Sequence, residues 1–254
     1  MKKPLLAAVS LMLGLAPVLS SINGLHAAEL KVLAGGSMTA VLNELAPQFE
    51  RASGHKLVIH FDSTPNLIKL ATSGAPFDLG VVPVDVFKDA AAKARFAVGP
   101  TIDIARAGYG VAVRVGTPKP DLNTPAAFRK SMLDAQSIAY IPASAAGGYV
   151  TGVFERLGIA EQMKAKTKPQ TATTQIPQAV AKGEAELGVF LINVLIAPGV
   201  ELAGPFPPEL QQELVFSAAI AADTKEADAA KAFIQFLATP AATAVIKAAG
   251  MNPG

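Results

Sequence analysis

The sequence predicts an α/β protein of two lobes, and three observations carry that prediction. Short β-branched runs alternate with helical stretches from residue 30 to the end of the chain, which implies parallel sheets covered by helices. The chain has 254 residues, 51% of them hydrophobic, too much material for one small sheet and enough for a large core. It contains no cysteine, so packing alone must hold it together, and thiolate chemistry, disulfides and a lipid-bearing cysteine are all excluded.

The elements follow in order. Residues 1–28 read as an export signal: Lys2 and Lys3 come first, then an apolar run over 5–19, a polar stretch over 20–26, and the small residues Ala27 and Ala28. The apolar run falls short of the ~20 residues that cross a bilayer, so a cleaved leader is expected, with cleavage after Ala27 or Ala28 and a periplasmic mature chain. Strands are expected at 30–33, 57–61, 79–82, 109–115, 137–141 and 187–192. Val41, Leu42, Leu45 and Phe49 recur at helical spacing within 38–52, where Pro47 must cost one backbone hydrogen bond. Further helices are expected at 65–72, 149–157, 228–238 and 240–249, the first stopped by Gly74 and the second by Gly158.

Charge narrows the partners. The chain carries 22 basic and 20 acidic residues, and loss of Lys2 and Lys3 with the leader leaves the two in balance. A neutral mature protein without tryptophan has neither the basic footprint nor the stacking surface of a nucleic-acid binder.

Four loops share one design, small or hydroxylated residues just ahead of a helix: Ala34-Gly35-Gly36-Ser37-Met38, Asp62-Ser63-Thr64-Pro65-Asn66, Ser144-Ala145-Ala146-Gly147-Gly148, and Thr171-Ala172-Thr173-Thr174. Ser37 suits a cap, and Thr64 suits the cap before Pro65. A helix start offers unpaired N–H groups and partial positive charge, so it holds an anion without a basic side chain. None of the four loops contains Lys or Arg. Most such caps bind nothing; the recurrence after successive strands, where open α/β sheets place ligands, marks these as a shared site. The candidate ligand-binding residues are Gly36, Ser37, Ser63, Thr64, Ala146, Gly147, Thr173 and Thr174.

Catalytic signals are thin. His55 and His60 do not form a metal-ligand pair on a helix face, and neither a phosphate-cradling nor a dinucleotide glycine motif occurs, so no metal and no cofactor are expected. Asp62 stands alone as a carboxylate in a candidate ligand loop, where it either caps the following helix or exchanges a proton with a ligand. Asp78 and Asp85 are expected to cap turns.

The ordered loops resemble the molybdate-binding periplasmic proteins of ABC-type importers. The likeness runs through Lys31-Val32-Leu33-Ala34-Gly35-Gly36-Ser37-Met38, Leu45-Ala46-Pro47-Gln48-Phe49-Glu50, the signature-like Gly74-Ala75-Pro76-Phe77-Asp78-Leu79, Ala181-Lys182-Gly183-Glu184-Ala185-Glu186-Leu187-Gly188, and Phe236-Leu237-Ala238-Thr239-Pro240. It implies a type II periplasmic-binding-protein fold with a ligand cleft between two α/β lobes. Lobe one would comprise 29–111 and 216–254, and lobe two 112–215. Carried over by motif, the anion contacts would be Ser37 and Thr64, the amide of Ala146, and Thr173 or Thr174. The partners implied are a small anion and the membrane subunits of an ABC transporter, for a monomeric receptor. Two departures matter: Asp62 stands in the second loop, and Leu191 occupies the strand end where molybdate binders place a tyrosine. A small organic carboxylate therefore fits at least as well as molybdate.

The rival expectation is an enzyme on the same scaffold. The segments Val111-Ala112-Val113-Arg114, Ala139-Tyr140 and Gly204-Pro205-Phe206-Pro207 are similar to a cofactor-free branch of the aconitate isomerase type. Such chemistry would draw its acid and base from Asp62 and Tyr149, with Arg106 holding a carboxylate if it faced the cleft.

Overall fold

The computed structural model describes residues 27–254. The expected leader therefore lies outside the described residues, apart from Ala27 and Ala28. Strand β1 (Glu29–Gly35) runs through a 3-10 turn into helix α1 (Thr39–Ser53), and β2 (Lys56–Asp62) runs into α2 (Thr64–Thr72). Then come β3 (Leu79–Pro83), α3 (Ala90–Lys93) and the long strand β4 (Ile102–Arg114). The second half comprises α4 (Pro125–Asp134), β5 (Ile138–Tyr140), α5 (Ala145–Arg156), α6 (Ala160–Lys166), β6 (Thr167–Pro169), α7 (Gln175–Ala181), β7 (Leu187–Leu191), α8 (Ile192–Leu195) and β8 (Val200–Pro205). The chain returns through β9 (Glu213–Ile220) and closes with α9 (Ala227–Leu237), α10 (Pro240–Ala248) and β10 (Asn252–Pro253).

Two sheets share β4. In the first the strand order is β2-β1-β3-β9-β4, and in the second it is β4-β7-β5-β6, with β8 also paired to β4. The expectation of parallel sheets needs correction. Pairing is parallel only in β2-β1-β3 and β7-β5-β6, whereas β9 and β4 join antiparallel to β3, to each other and to β7. The reason is topological: a strand that carries the chain out of one sheet and a strand that brings it back must run in opposite directions.

The sequence located only the second half of β4. Residues Ile102 to Gly108 are strand as well, and they pair with β9, while Tyr109 onward pairs with β7 and Gly110 onward with β8. Charged Asp103 and Arg106 and small Ala105, Ala107 and Gly108 obscure the β pattern there. At the change of partners the Gln211 side chain stands in for a strand. The Tyr109 amide donates to Gln211 Oε1 at 2.8 Å, and Gln211 Nε2 donates back to the Tyr109 carbonyl at 2.9 Å.

The helices pack as their periodicity predicts. Val41, Leu42, Leu45 and Phe49 of α1 are buried, as are Leu30, Val32 and Ala34 of β1 in the same cluster. The Phe49 ring packs at a tilt against Phe233 at 4.9 Å and Phe236 at 5.5 Å, tying helix α9 to the first lobe. Burial of Phe49 and Phe233 stabilises the fold by about 1.5–3 kcal/mol each, with Phe236 half-buried beside them. Helix α5 begins at Ala145, four residues before its expected start, because Ser144 caps it by accepting the Gly147 amide at 3.0 Å. The two glycines that suggested a loop lie inside its first turn.

Candidate functional site

The ends of β1, β2, β5 and β7 converge on a cavity of about 230 Å³ between the two lobes. Lobe one contributes Gly36, Ser37, Asp62, Ser63 and Thr64, and lobe two contributes Ser144, Ala146, Thr171, Ala172, Thr173 and Thr174. Seven of the eight residues expected to bind ligand thus line one hollow. Gly147 does not. A Cβ placed there would lie 1.7 Å from the Ile141 carbonyl oxygen, so its part is to let α5 dock on the backbone behind the site.

Each loop reaches the cavity for a local reason. Ser37 is not a cap, contrary to expectation. Gly35 and Met38 precede the 3-10 turn and α1, and neither start uses a side-chain cap. The Ser37 hydroxyl makes no hydrogen bond among the described residues, which leaves it free for a ligand. In the second loop the cap falls one residue earlier than expected, at Ser63, with Pro65 at the second helical position and Thr64 only 8% exposed. The Ser63 hydroxyl also makes no capping bond. In the fourth loop Thr174 does not cap α7. Gln175 folds the loop instead, its Oε1 accepting from the amides of Thr171 and Ala172 and from the Thr171 hydroxyl, at 2.9–3.1 Å.

The first turn of α5 brings main-chain donors to the cavity. An α-helix leaves its first amides without intrahelical acceptors. Here the Ala145 amide donates to Thr64 Oγ1 at 3.2 Å, Gly147 donates to Ser144 Oγ, and Gly148 donates to the Ser144 carbonyl at 2.8 Å. The Ala146 amide is the one these bonds leave over, in a residue only 2% exposed that lines the cavity. A buried N–H without a partner is rare, so this donor calls for an acceptor supplied by the cavity's contents.

Among the described residues, three direct bonds bridge the lobes around the cavity. Besides the one from Ala145 to Thr64, the Thr173 hydroxyl donates to the Gly36 carbonyl at 3.1 Å, and Asn193 Nδ2 donates to the Ser37 carbonyl at 2.7 Å. Sequence reasoning did not single out Asn193. An isolated asparagine carries no local signal, and its partner lies 156 positions away. Phe61, Phe190 and Phe216 also line the hollow and were missed as site residues. The signal available for the first two was their place at the C-terminal ends of β2 and β7, where α/β sheets present side chains to ligands. Leu191 is fully buried, and β7 turns Phe190 to the cavity instead.

Asp62 lines the cavity, and its carboxylate is engaged locally. Oδ1 accepts from the Ser63 amide at 2.7 Å and from Asn66 Nδ2 at 2.8 Å, and Oδ2 lies 3.4 Å from His60 Nε2. Burial pushes its pKa up, but the bonds from Asn66, Ser63 and His60 outweigh burial and hold it below the ordinary carboxylate value. A depressed folded-state pKa contributes stability that is present above the unfolded value, about 4, and is lost as pH falls through the lower folded value. Thermal melts across that acidic range should therefore show a decline in stability that is shallower in Asp62→Ala.

The remaining catalytic candidates lie elsewhere. The Tyr149 hydroxyl donates to the Leu210 carbonyl at 2.8 Å and accepts from Arg156 at 3.1 Å, and its ring packs on Tyr109 at 4.6 Å. Arg106 pairs with Asp103 at 3.0 Å. Neither Tyr149 nor Arg106 lines the cavity.

Comparison with known proteins agrees with this architecture. The model of the family described as bacterial extracellular solute-binding protein matches residues 30–252. An aconitate isomerase from Pseudomonas sp. is 31% identical, over 98% of this chain and 96% of that protein. The molybdate-binding protein ModA of Azotobacter vinelandii is 30% identical, over 89% of this chain and 90% of that protein. The solved Azotobacter vinelandii periplasmic molybdate-binding protein superposes with a TM-score of 0.73 at 25% identity, covering 89% of this chain and 99% of that one.

Proposed function

Since the chain belongs to the family of bacterial extracellular solute-binding proteins, we propose that it captures a small anion between its lobes and delivers it to the membrane subunits of an ABC-type importer. The observation that carries this reading is the Ala146 amide at the start of α5, which has no hydrogen-bond partner among the described residues and belongs to a buried residue lining the same cavity as Ser37 and Ser63. An oxyanion or carboxylate placed there accepts from main-chain and hydroxyl donors within the field of a helix start.

Lobe one is taken as 29–111 with 216–254, and lobe two as 112–215. The change of β4 from β9 to β7 near Gly108 and Tyr109 supports that division. Ligand bound to both lobes favours the closed arrangement by its differential affinity, and the importer reads the closed shape of a single subunit. The working compartment is the periplasm, reached through the leader. Cleavage after Ala27 is favoured over cleavage after Ala28, because Ala28 belongs to the fold: its amide donates to His55 Nδ1 at 3.1 Å and its carbonyl accepts from the Lys56 amide at 2.8 Å.

The isomerase reading has less support. It needs a base in the cavity, yet Tyr149 is bound away from it and Asp62 is held below the ordinary carboxylate value, which weakens it as a base. Thermal-shift measurements against molybdate, tungstate, sulfate and small carboxylates test the receptor. At least one should raise the melting temperature, since a ligand specific to the folded state stabilises it. No shift with any anion would remove the proposal. Incubation with cis- and trans-aconitate should leave both unchanged.

A further inference from the structure

The cavity's lining is of two kinds. Beside the amide and hydroxyl loops it includes Phe61, Pro83, Ile141, Phe190, Leu214 and Phe216. Phe190 and Phe216 are each only 1% exposed, so this wall is fixed by the core and not free to turn a polar group inward. A tetrahedral oxyanion presents oxygens in every direction. In this cavity those facing the wall would lose their water and find no donor in exchange.

Charge points the same way. Asp62 is the one charged side chain among the described residues lining the cavity, and it is negative. Its repulsion scales with ligand charge, so at a given position it opposes a dianion twice as strongly as a monoanion. A molecule with one carboxylate and a hydrocarbon body reverses both disadvantages. Its oxygens lie together at one end, its charge is single, and the rest of it has no bonds to lose. The size of the hollow, about 230 Å³, lies below the range of about 300–1,000 Å³ of sites for drug-sized ligands, which keeps that body short.

Building on the reading of this cavity as an anion receptor site, we propose that its solute is a short-chain, singly charged organic acid. The carboxylate sits against the Ala146 amide and the Ser37 and Ser63 hydroxyls, and the hydrocarbon body lies on the wall of Phe61, Phe190 and Phe216. The tetrahedral dianions are then poor solutes for this chain.

Calorimetry of the mature protein with acetate, crotonate, sulfate and molybdate tests the assignment. Crotonate should bind about tenfold tighter than acetate, the gain expected for desolvating its additional carbons, and tighter than either dianion. Phe61→Ser, at a half-buried position of the lining, should weaken crotonate by a larger factor than it weakens acetate. Asp62→Asn should improve molybdate more than crotonate, and this second variant keeps the test decisive if the first fails to fold. Tighter binding of molybdate or sulfate than of crotonate would overturn the inference and leave the receptor reading standing. Equal binding of acetate and crotonate would do the same, by removing the wall from recognition. Failure of all four anions to bind a folded protein would overturn both.

Discussion

Gly147→Ala should lower the melting temperature by about 6–12 °C, the consequence of about 3 kcal/mol of overpacking in a chain of this size. The added methyl would meet the Ile141 carbonyl oxygen at 1.7 Å, the Ile141 carbonyl carbon at 2.5 Å and the Pro142 Cα at 2.9 Å. All three are backbone atoms, so no side chain can turn aside to make room. Relief requires α5 to lift from the end of β5, which also pulls the Gly147 amide from Ser144 Oγ and displaces Ala146 from the cavity. The variant should thus lose anion binding along with stability, as thermal melts and calorimetry on the same sample would show. Gly148→Ala is the matched control. Its Cβ would meet nothing within 4 Å, so the melt should stay unchanged or rise slightly, as alanine favours the helix.

The double variant Ser37→Ala, Ser63→Ala should do the reverse, keeping the fold and losing the ligand. Neither hydroxyl serves as a helix cap in this structure, so their removal should move stability by no more than about 0.5 kcal/mol. A hydrogen bond to a charged group contributes about 1.5–3 kcal/mol, which corresponds to roughly 10–100-fold in affinity for each serine. Crotonate and molybdate titrations of the double variant should show at least a hundredfold weakening of whichever anion the parent binds. Unchanged affinity would take both hydroxyls out of the site.

Much of this molecule was legible from its residues. The alternation of elements, the two-lobed α/β class and the four pre-helix loops follow from period, small residues and hydroxyls, and the loops meet in one hollow. Individual caps were less legible. Ser37 and Thr64 look like caps by residue type, but whether a hydroxyl turns inward to an amide or outward to a cavity depends on the strand behind it. The first half of β4 escaped notice because its small and charged residues derive their strand character from β9, far along the chain. Asn193, which bonds the Ser37 carbonyl, and the phenylalanines of the lining belong to the same class: they take their places only when distant segments come together. Gly147 is a candidate ligand contact by its place in a loop of small residues ahead of a helix. Its close approach is to the protein's own backbone.

The pairing of Tyr109 with the Gln211 amide group bears on how the molecule moves. Where this strand leaves one sheet for the other, the Gln211 side chain bonds both main-chain groups of Tyr109, and the Phe206 amide shares the carbonyl at 3.0 Å. In the proposed closure a side chain of this kind would follow a change of angle between the sheets more readily than a main-chain partner would. The balance between open and shut is then decided at the rim, where Thr64, Thr173 and Asn193 reach across. On the proposed receptor reading, occupancy of the crevice would then set which shape prevails.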